Sequence, residues 1–279
     1  MNTSNFILGT AQINQNYGIT NNKKKIKDQE LIKIIDFLQN KKRSFIETAN
    51  NYSQAEERLG NLNINPVYYT KLSPIESSIT KILDTSLRKL KVDRIEGFFF
   101  HNLNEFLKAD TSKIIDQIHY LKSKNIIKKF GFSIYNPNEI YDIAKFKPDM
   151  VQFPINFADR RFSNSRNNKL LKDLNAELFG RSIFLQGLLF YKEDNLPLYF
   201  RKWIKYFTLW TIFLKKNNLT PIAACLQFVN SLNFIDNKII GVTSLNELTE
   251  VFDNDIICNH LSFDEIFPSD MMLINPVNW

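Results

Sequence analysis

Three side chains suited to delivering a proton to a carbonyl oxygen follow three successive strand-like runs. The first run leads into Glu47-Thr48-Ala49-Asn50-Asn51-Tyr52, the second ends at Tyr69-Thr70-Lys71, and the third ends at Phe100-His101-Asn102. A phenol ordinarily titrates near pH ~10. A nearby ammonium favours the phenolate and lowers that value, which makes the hydroxyl a competent general acid closer to neutrality. An imidazole beside the pair can donate a hydrogen bond that orients the carbonyl. Glu47 is placed to hold the lysine. Singly, a loop tyrosine is usually packing, a lysine after a strand is usually solvated, and a histidine after three phenylalanines is often a satisfied edge of the core. Their recurrence at consecutive strand ends is what points to chemistry. Asn50, Asn51 and Ser53 read as residues that shape the Tyr52 turn.

Such ends converge only if the strands run parallel and share a rim. Short β-branched or aromatic runs predict strands at residues 6–11, 44–49, 67–72, 94–102, 129–135, 149–156, 177–184 and 238–243. Apolar residues at helical spacing predict helices at 28–41, 77–91, 109–125 and 220–232, the last with Pro221 in its first turn, where a missing N–H costs little. Parallel neighbours need crossover connections, so eight strands with intervening helices argue a closed (β/α)8 TIM barrel in one domain, residues 1–279. About 250 residues are typical of that fold, and its active residues lie at the C-terminal strand ends. A doubly wound open sheet is the alternative. When it binds dinucleotides it usually carries a GxGxxG turn after its first strand, and none is present. The segment from about 253 to 279 breaks the alternation and is expected to pack on the barrel as a tail.

Hydrophobic residues make up 44% of the chain, enough for a sizeable core. No apolar run approaches the roughly 20 residues of a membrane span, and the first residues show no signal-peptide pattern. The two cysteines, Cys225 and Cys258, form no metal-ligand or disulfide pattern, so a reducing, cytoplasmic setting and no metal are expected. The net charge is +7, yet the longest basic run, Lys23-Lys24-Lys25, lacks interleaved aromatics. This argues against nucleic acid and for a small-molecule partner. The sequence assigns no oligomeric state. His119 and His260 are expected to be structural, as is Cys225 on its helix. Phe157, Arg160, Arg161 and Phe162 read equally as pocket lining or packing. The helical spacing of Trp203, Tyr206 and Trp210 favours core or interface.

The order of local motifs resembles the aldo-keto reductase family. Glu47-Thr48-Ala49 with Tyr52, then Glu56 or Glu57, Leu59 and Gly60, is similar to the family pattern D-T-A-x-x-Y-G-x-S-E-x-x-L-G. Lys71 resembles its strand-three lysine. Lys128-Lys129-Phe130-Gly131-Phe132-Ser133 resembles a second signature, in which a basic residue precedes G-V-S. Val151-Gln152-Phe153-Pro154-Ile155-Asn156 resembles V-Q-x-x-Y-N. Residues 181–189 resemble Y-S-P-L-x-x-G-L-L, and Ile240-Gly241-Val242-Thr243-Ser244 with Leu248 resembles the strand-eight element I-P-G-x-x-S-x-x-x-L. Gly9-Thr10 fits the opening strand. The resemblance runs from about Phe6 to Phe252.

The resemblance implies an NAD(P)H-dependent reductase of an aldehyde, ketone or sugar carbonyl, with Tyr52 as proton donor, Lys71 as its partner and His101 as orienter. It implies nicotinamide contacts from Ser133 and Gln152, pyrophosphate contacts from the Leu185, Gln186 and Gly187 loop, and adenosine contacts around Gly241–Glu250, with Thr243 and Glu247 among them. Gly9, Thr10, Arg181 and Ser182 complete the expected cofactor wall. Three positions depart from the pattern. Glu47 stands for the family's Asp. Arg181 stands where an aromatic residue usually stacks on nicotinamide, and a guanidinium plane can also stack on a ring. Gly241, Asn246 and Glu247 stand where NADP-preferring members place basic residues. NADPH follows from the resemblance, and NADH from Glu247. The rival reading is a catalytically impaired, nucleotide-binding barrel with a regulatory or structural role, favoured by Glu47 and Arg181.

Overall fold

The computed structural model describes residues 5–14, 18–19, 25–42, 44–62, 64–74, 78–255, 263 and 266–279. Eight parallel strands, β1 (Asn5–Gly9), β2 (Phe45–Glu47), β3 (Val67–Leu72), β4 (Ile95–Phe100), β5 (Ile127–Ser133), β6 (Met150–Pro154), β7 (Glu177–Arg181) and β8 (Asn237–Ile240), close into a barrel in sequence order. All eight strands expected from the sequence form. Most end two or three residues early, because the polar residues at their C-terminal ends already belong to loops. After β1, for example, the Ile13 N–H turns back onto the Thr10 carbonyl.

Two apolar clusters divide the core. Ile7, Tyr69, Phe99, Met150, Phe179 and Ile239, with Phe45 beside them, form a small cluster of their own. Phe98 and Phe100 join the large cluster that also holds the helix residues Leu31, Ile34, Leu83 and Ile118. Side chains alternate across a strand, so the small cluster is the barrel interior and the large one lies between sheet and helices. The Phe98-Phe99-Phe100 run thus serves both sides of β4. Tyr69, Phe99 and Phe179 meet edge-on or tilted, with ring centroids 5.2–6.4 Å apart. Below this plug Lys129 donates to Glu177 at 2.6 Å.

The helices at Asp28–Asn40, Ile79–Leu90, Thr111–Ser123 and Pro221–Ser231 match the expected ones within two residues. The third begins at 111 rather than 109 because Asp110 caps it, accepting from the Lys113 N–H at 3.1 Å. Thr220 caps the fourth in the same way. Further helices, such as Ala55–Gly60 and Leu103–Lys108, are too short for helical periodicity to reveal. Ile204–Lys216 is long enough, but Leu209 and Ile212 are exposed while Phe207 and Trp210 are buried, which blurs the stripe.

The described part of the tail packs on residues 198–216. Phe267 lies against Phe207 and Trp210, Trp279 against Phe200, and Trp203 donates to Asp270 at 2.9 Å. Arg160 lies over Phe157 and Phe228 and donates to the Phe263 carbonyl, while Arg161 forks onto buried Asp159. These residues pack and anchor the tail. Cys225 is buried, and burial pushes its thiol pKa up. His119 is exposed on its helix. Lys23, Lys24, Cys258 and His260 lie outside the described residues. Among the described residues no helix is long and apolar enough to cross a membrane.

Strand β5 approaches β6 too closely at Gly131 for any side chain: a Cβ there would collide with the Met150 carbonyl oxygen. Gly131→Ala is expected to cost about 1–3 kcal/mol through overpacking. The urea midpoint should fall with an unchanged m-value. A midpoint equal to the parent's would refute this close approach.

Candidate active site

The inward step of two residues explains how the polar groups gather. Two positions beyond the plug residues Phe45, Tyr69, Phe99, Met150 and Phe179 stand Glu47, Lys71, His101, Gln152 and Arg181. Glu47 and Lys71 are each 2% exposed and form an ion pair. Glu47 Oε1 also accepts from Gln152 Nε2 at 3.1 Å, and Gln152 Oε1 accepts from Ser133 Oγ at 3.3 Å. Lys71 Nζ lies 4.7 Å from the centroid of the Tyr52 ring. The His101 ring meets the Tyr52 ring edge-on at 5.8 Å, and His101 Nδ1 is 3.1 Å from Asn51 Oδ1. The four residues of the expected proton-delivery group are therefore neighbours, although two come from strands β2 and β3 and two from the loops after β2 and β4.

The electrostatics follow from burial. Removal from water disfavours the charged form. Burial, then the Arg181 charge, draws the Lys71 ammonium well below the usual lysine range. Glu47, in contact, works in the opposite sense and holds a proton on the pair. Burial, then the charges of Lys71 and Arg181, lowers the His101 imidazole to about 3, so His101 is neutral near neutrality. Removing either partner of the Glu47–Lys71 pair would strand a buried charge, typically a loss of about 3–5 kcal/mol.

A cavity of about 490 Å³ opens over this group, within the range of small-molecule sites. Of the expected residues, Tyr52, Lys71, Glu47, Gly9, Gln152, Arg181, Ser182, Gln186, Gly187, Gly241, Thr243 and Glu247 line it. Thr10, Ser133 and Leu185 are buried behind the wall, and His101 adjoins it through Tyr52. Glu250, at the end of the expected adenosine stretch, lines it too. Sequence reasoning passed over Gln12, Phe190 and Pro221, which also line the cavity. They sit in loops or on helices where no periodicity marks a cavity face. It also passed over Glu30, whose carboxylate accepts from the Leu245 N–H at 2.7 Å. Nothing local in the sequence links residues so far apart. Of Glu56 and Glu57, the buried one is Glu56, which accepts from Thr70 Oγ1 at 2.7 Å on the outer side of β3. Among the described residues no group of three or more His, Cys, Asp or Glu side chains is placed to hold a metal ion.

The model of the aldo/keto reductase family matches residues 5–255. The chain belongs to the aldo/keto reductase family. No curated protein matches this family member by sequence. Among solved structures it is similar to the holo form of an aldo-keto reductase from Bacillus halodurans, at 15% identity and a TM-score of 0.74, over 99% of this chain and 96% of that one. It is also similar to a glycerol dehydrogenase from Gluconobacter oxydans, at 18% identity and a TM-score of 0.68, over 97% and 92% of the two chains. At these identities the likeness speaks for the fold. In this aldo/keto reductase family member the longer Glu47 reaches Lys71 and still has reach for Gln152.

The lowered His101 pKa has a measurable consequence. The unfolded chain binds a proton on this imidazole near pH ~6.5, whereas the native state resists it until about 3. Between those values the unfolded state holds more protons, so stability falls as pH falls from about 6.5 towards 3. In urea unfolding across this window, His101→Asn should show a shallower acid loss than the parent. Parallel curves would show that the imidazole titrates normally in the folded protein.

Proposed function

We propose that this family member is an NAD(P)H-dependent reductase of an aldehyde, ketone or sugar carbonyl, in which Tyr52 gives the proton. The observation that carries the reading is the grouping of Tyr52, Lys71, Glu47 and His101 at the rim of one cavity. Family membership supports carbonyl oxidoreductase chemistry as such.

Features of the wall fit a dinucleotide. Ser182, Leu185, Gln186 and Gly187 all have positive φ, between 47° and 87°. Such turns can aim backbone N–H groups into a concavity that takes an anion. Gly9 and Gly241 leave the floor bare, and a Cβ at Gly241 would come 2.6 Å from Gln12 Oε1. When bound, the dinucleotide supplies a hydride to the carbonyl carbon. Tyr52 donates its hydroxyl proton to the carbonyl oxygen as that oxygen takes up the electron pair. The Lys71 ammonium beside the ring stabilises the phenolate so formed. Its lowered pKa also makes it a ready donor for returning a proton to Tyr52. Glu47 fixes Lys71, and Gln152 fixes Glu47 in turn. Neutral His101 has one N–H, and Asn51 governs which ring nitrogen carries it. With the Asn51 carbonyl facing Nδ1, the proton sits on Nδ1. An amide turned over leaves it on Nε2, the nitrogen not engaged by Asn51 and so open to the substrate oxygen.

The cofactor preference we propose is for NADH. At the start of the helix Leu245–Asp253, Glu247 accepts from the Thr243 N–H at 2.6 Å and from Thr243 Oγ1 at 2.8 Å, while Glu30 holds the Leu245 N–H. That hydrogen bond keeps the Glu30 carboxyl below its usual range. A helix N-terminus normally welcomes a phosphate. Here two of the protein's own carboxylates hold the donors, which opposes a ribose 2′-phosphate and leaves acceptors for a ribose hydroxyl.

Two measurements test these readings. Tyr52→Phe should bind the dinucleotide like the parent and lose about 10²–10⁴ in carbonyl turnover, the usual worth of a positioned general acid. Parent-level turnover would refute the proton-donor role, and binding without turnover by the parent would favour the regulatory barrel. Fluorescence titration should give a lower Kd for NADH than for NADPH, by about tenfold or about 1.4 kcal/mol, and Glu247→Arg should narrow or reverse the gap. Equal constants in parent and variant would sink the preference.

A further inference from the structure

Among the described residues that line the cavity, Arg181 is the cation that the proton-delivery scheme does not use. It follows the plug residue Phe179 by two positions and so reaches the same rim as Glu47 and Lys71. Its guanidinium lies 4.2 Å from the centroid of the Tyr135 ring, and Nη1 reaches Ser182 Oγ at 3.3 Å. Nη2 is buried with no hydrogen-bond partner among the described residues. Arg181 has no carboxylate within ion-pair distance among them either. Lys71 is neutralised by Glu47, and His101 is uncharged. Glu247 on the cavity lining is turned to Thr243, from which both its oxygens accept, and Glu247 and Glu250 are exposed to solvent. Among the described residues, the reaction centre therefore carries one uncompensated positive charge. That charge is felt at the centre, since it opposes protonation of both Lys71 and His101.

We infer that Arg181 biases the cavity towards the reduced dinucleotide, by repelling the nicotinamide ring once that ring has become positively charged. The inference rests on the reductase reading above. Reduction moves a hydride, two electrons and a proton, from the ring to the carbonyl carbon, while the oxygen takes its proton from Tyr52. The ring is neutral before this transfer and carries a full positive charge after it. Like charges in a water-poor site repel far more strongly than in bulk water. The oxidised form is thus held weakly and leaves readily, and the reduced form is loaded in preference. An arginine that served instead to grip the diphosphate would strengthen both forms alike, because both carry the same diphosphate.

The test is a pair of binding constants rather than a rate. The parent, Arg181→Gln and the charge-keeping Arg181→Lys are titrated with NADH and with NAD⁺ by calorimetry. The parent should bind NADH at least about tenfold more tightly than NAD⁺, equivalent to ~30 mV in the potential of the bound two-electron couple. Arg181→Lys should keep most of that ratio, and Arg181→Gln should bring it towards one. Equal affinities in the parent overturn the inference without recourse to any variant. Losses of both affinities in Arg181→Gln with the ratio intact overturn it in favour of a diphosphate grip. Failure of the parent to bind either form, or NADPH, overturns the reading of the cavity itself, and this inference with it.

Discussion

The site depends on the two-residue step of a barrel strand. Successive side chains of a strand point to opposite faces, so every second residue enters the barrel. A ring of large apolar side chains, Phe45, Tyr69, Phe99, Met150 and Phe179, fills the interior at one level. The next inward residue on each of those strands must then stand on top of that plug, at the end where the strand gives way to its loop. Five polar residues occupy those positions. Contacts among them fix how they are turned, but their place in the barrel is set from behind. Each is placed by the aromatic or thioether two residues behind it, and the plug also supplies the dry floor that gives their charges weight. Substituting plug residues would therefore disturb the chemistry without touching any group that performs it.

A buried pair of opposite charges is a costly ornament in a core, since desolvation can exceed the attraction gained. The Glu47–Lys71 pair is tolerated because Gln152 and Ser133 extend it into a hydrogen-bonded chain across neighbouring strands. That chain crosses the barrel mouth from β2 to β6 and makes the two halves of the wall interdependent. The longer Glu47 matters here. An acid one methylene shorter would have to choose its partner more narrowly, whereas Glu47 Oε1 serves both Lys71 and Gln152.

Much of this was legible in the sequence, for identifiable reasons. All eight strands announce themselves because buried parallel strands must be β-branched and aromatic nearly throughout. The rim residues were found because a polar side chain directly after such a run is conspicuous. What escaped is what depends on distant encounters. Glu30 meets Leu245 across more than 200 residues, and Gln12 meets Gly241 across a similar span. Helices of a single turn or two, such as Ala55–Gly60, are too brief to show a period. Thr10, Ser133 and Leu185 are buried and do not line the cavity; Ser133 faces the same way as its register partner Gln152 and meets the site through its hydrogen bond to that side chain. A motif gives the neighbourhood of a residue, while its facing is decided by strand pairing.

The departures from the family pattern acquire a common sense once the charges are summed. In a centre with one acid and one lysine, the net charge is zero and the bound ring can take either redox form at similar electrostatic cost. Replacing a neutral aromatic wall by Arg181 raises the centre by one unit. Meanwhile Glu247 on the cavity lining, and Glu30 at the start of the same helix, add negative charge where they hold backbone donors that a phosphate would otherwise claim. In the proposed reading the cavity is positive where the ring would react and negative where the ribose would rest. A dinucleotide without a 2′-phosphate and with a neutral ring is the form whose own charges conflict least with that gradient. In the proposed reading Arg181 and Glu247, two of the departures from the family pattern, thus act with Glu30 on one property, the state of the cofactor the cavity would select.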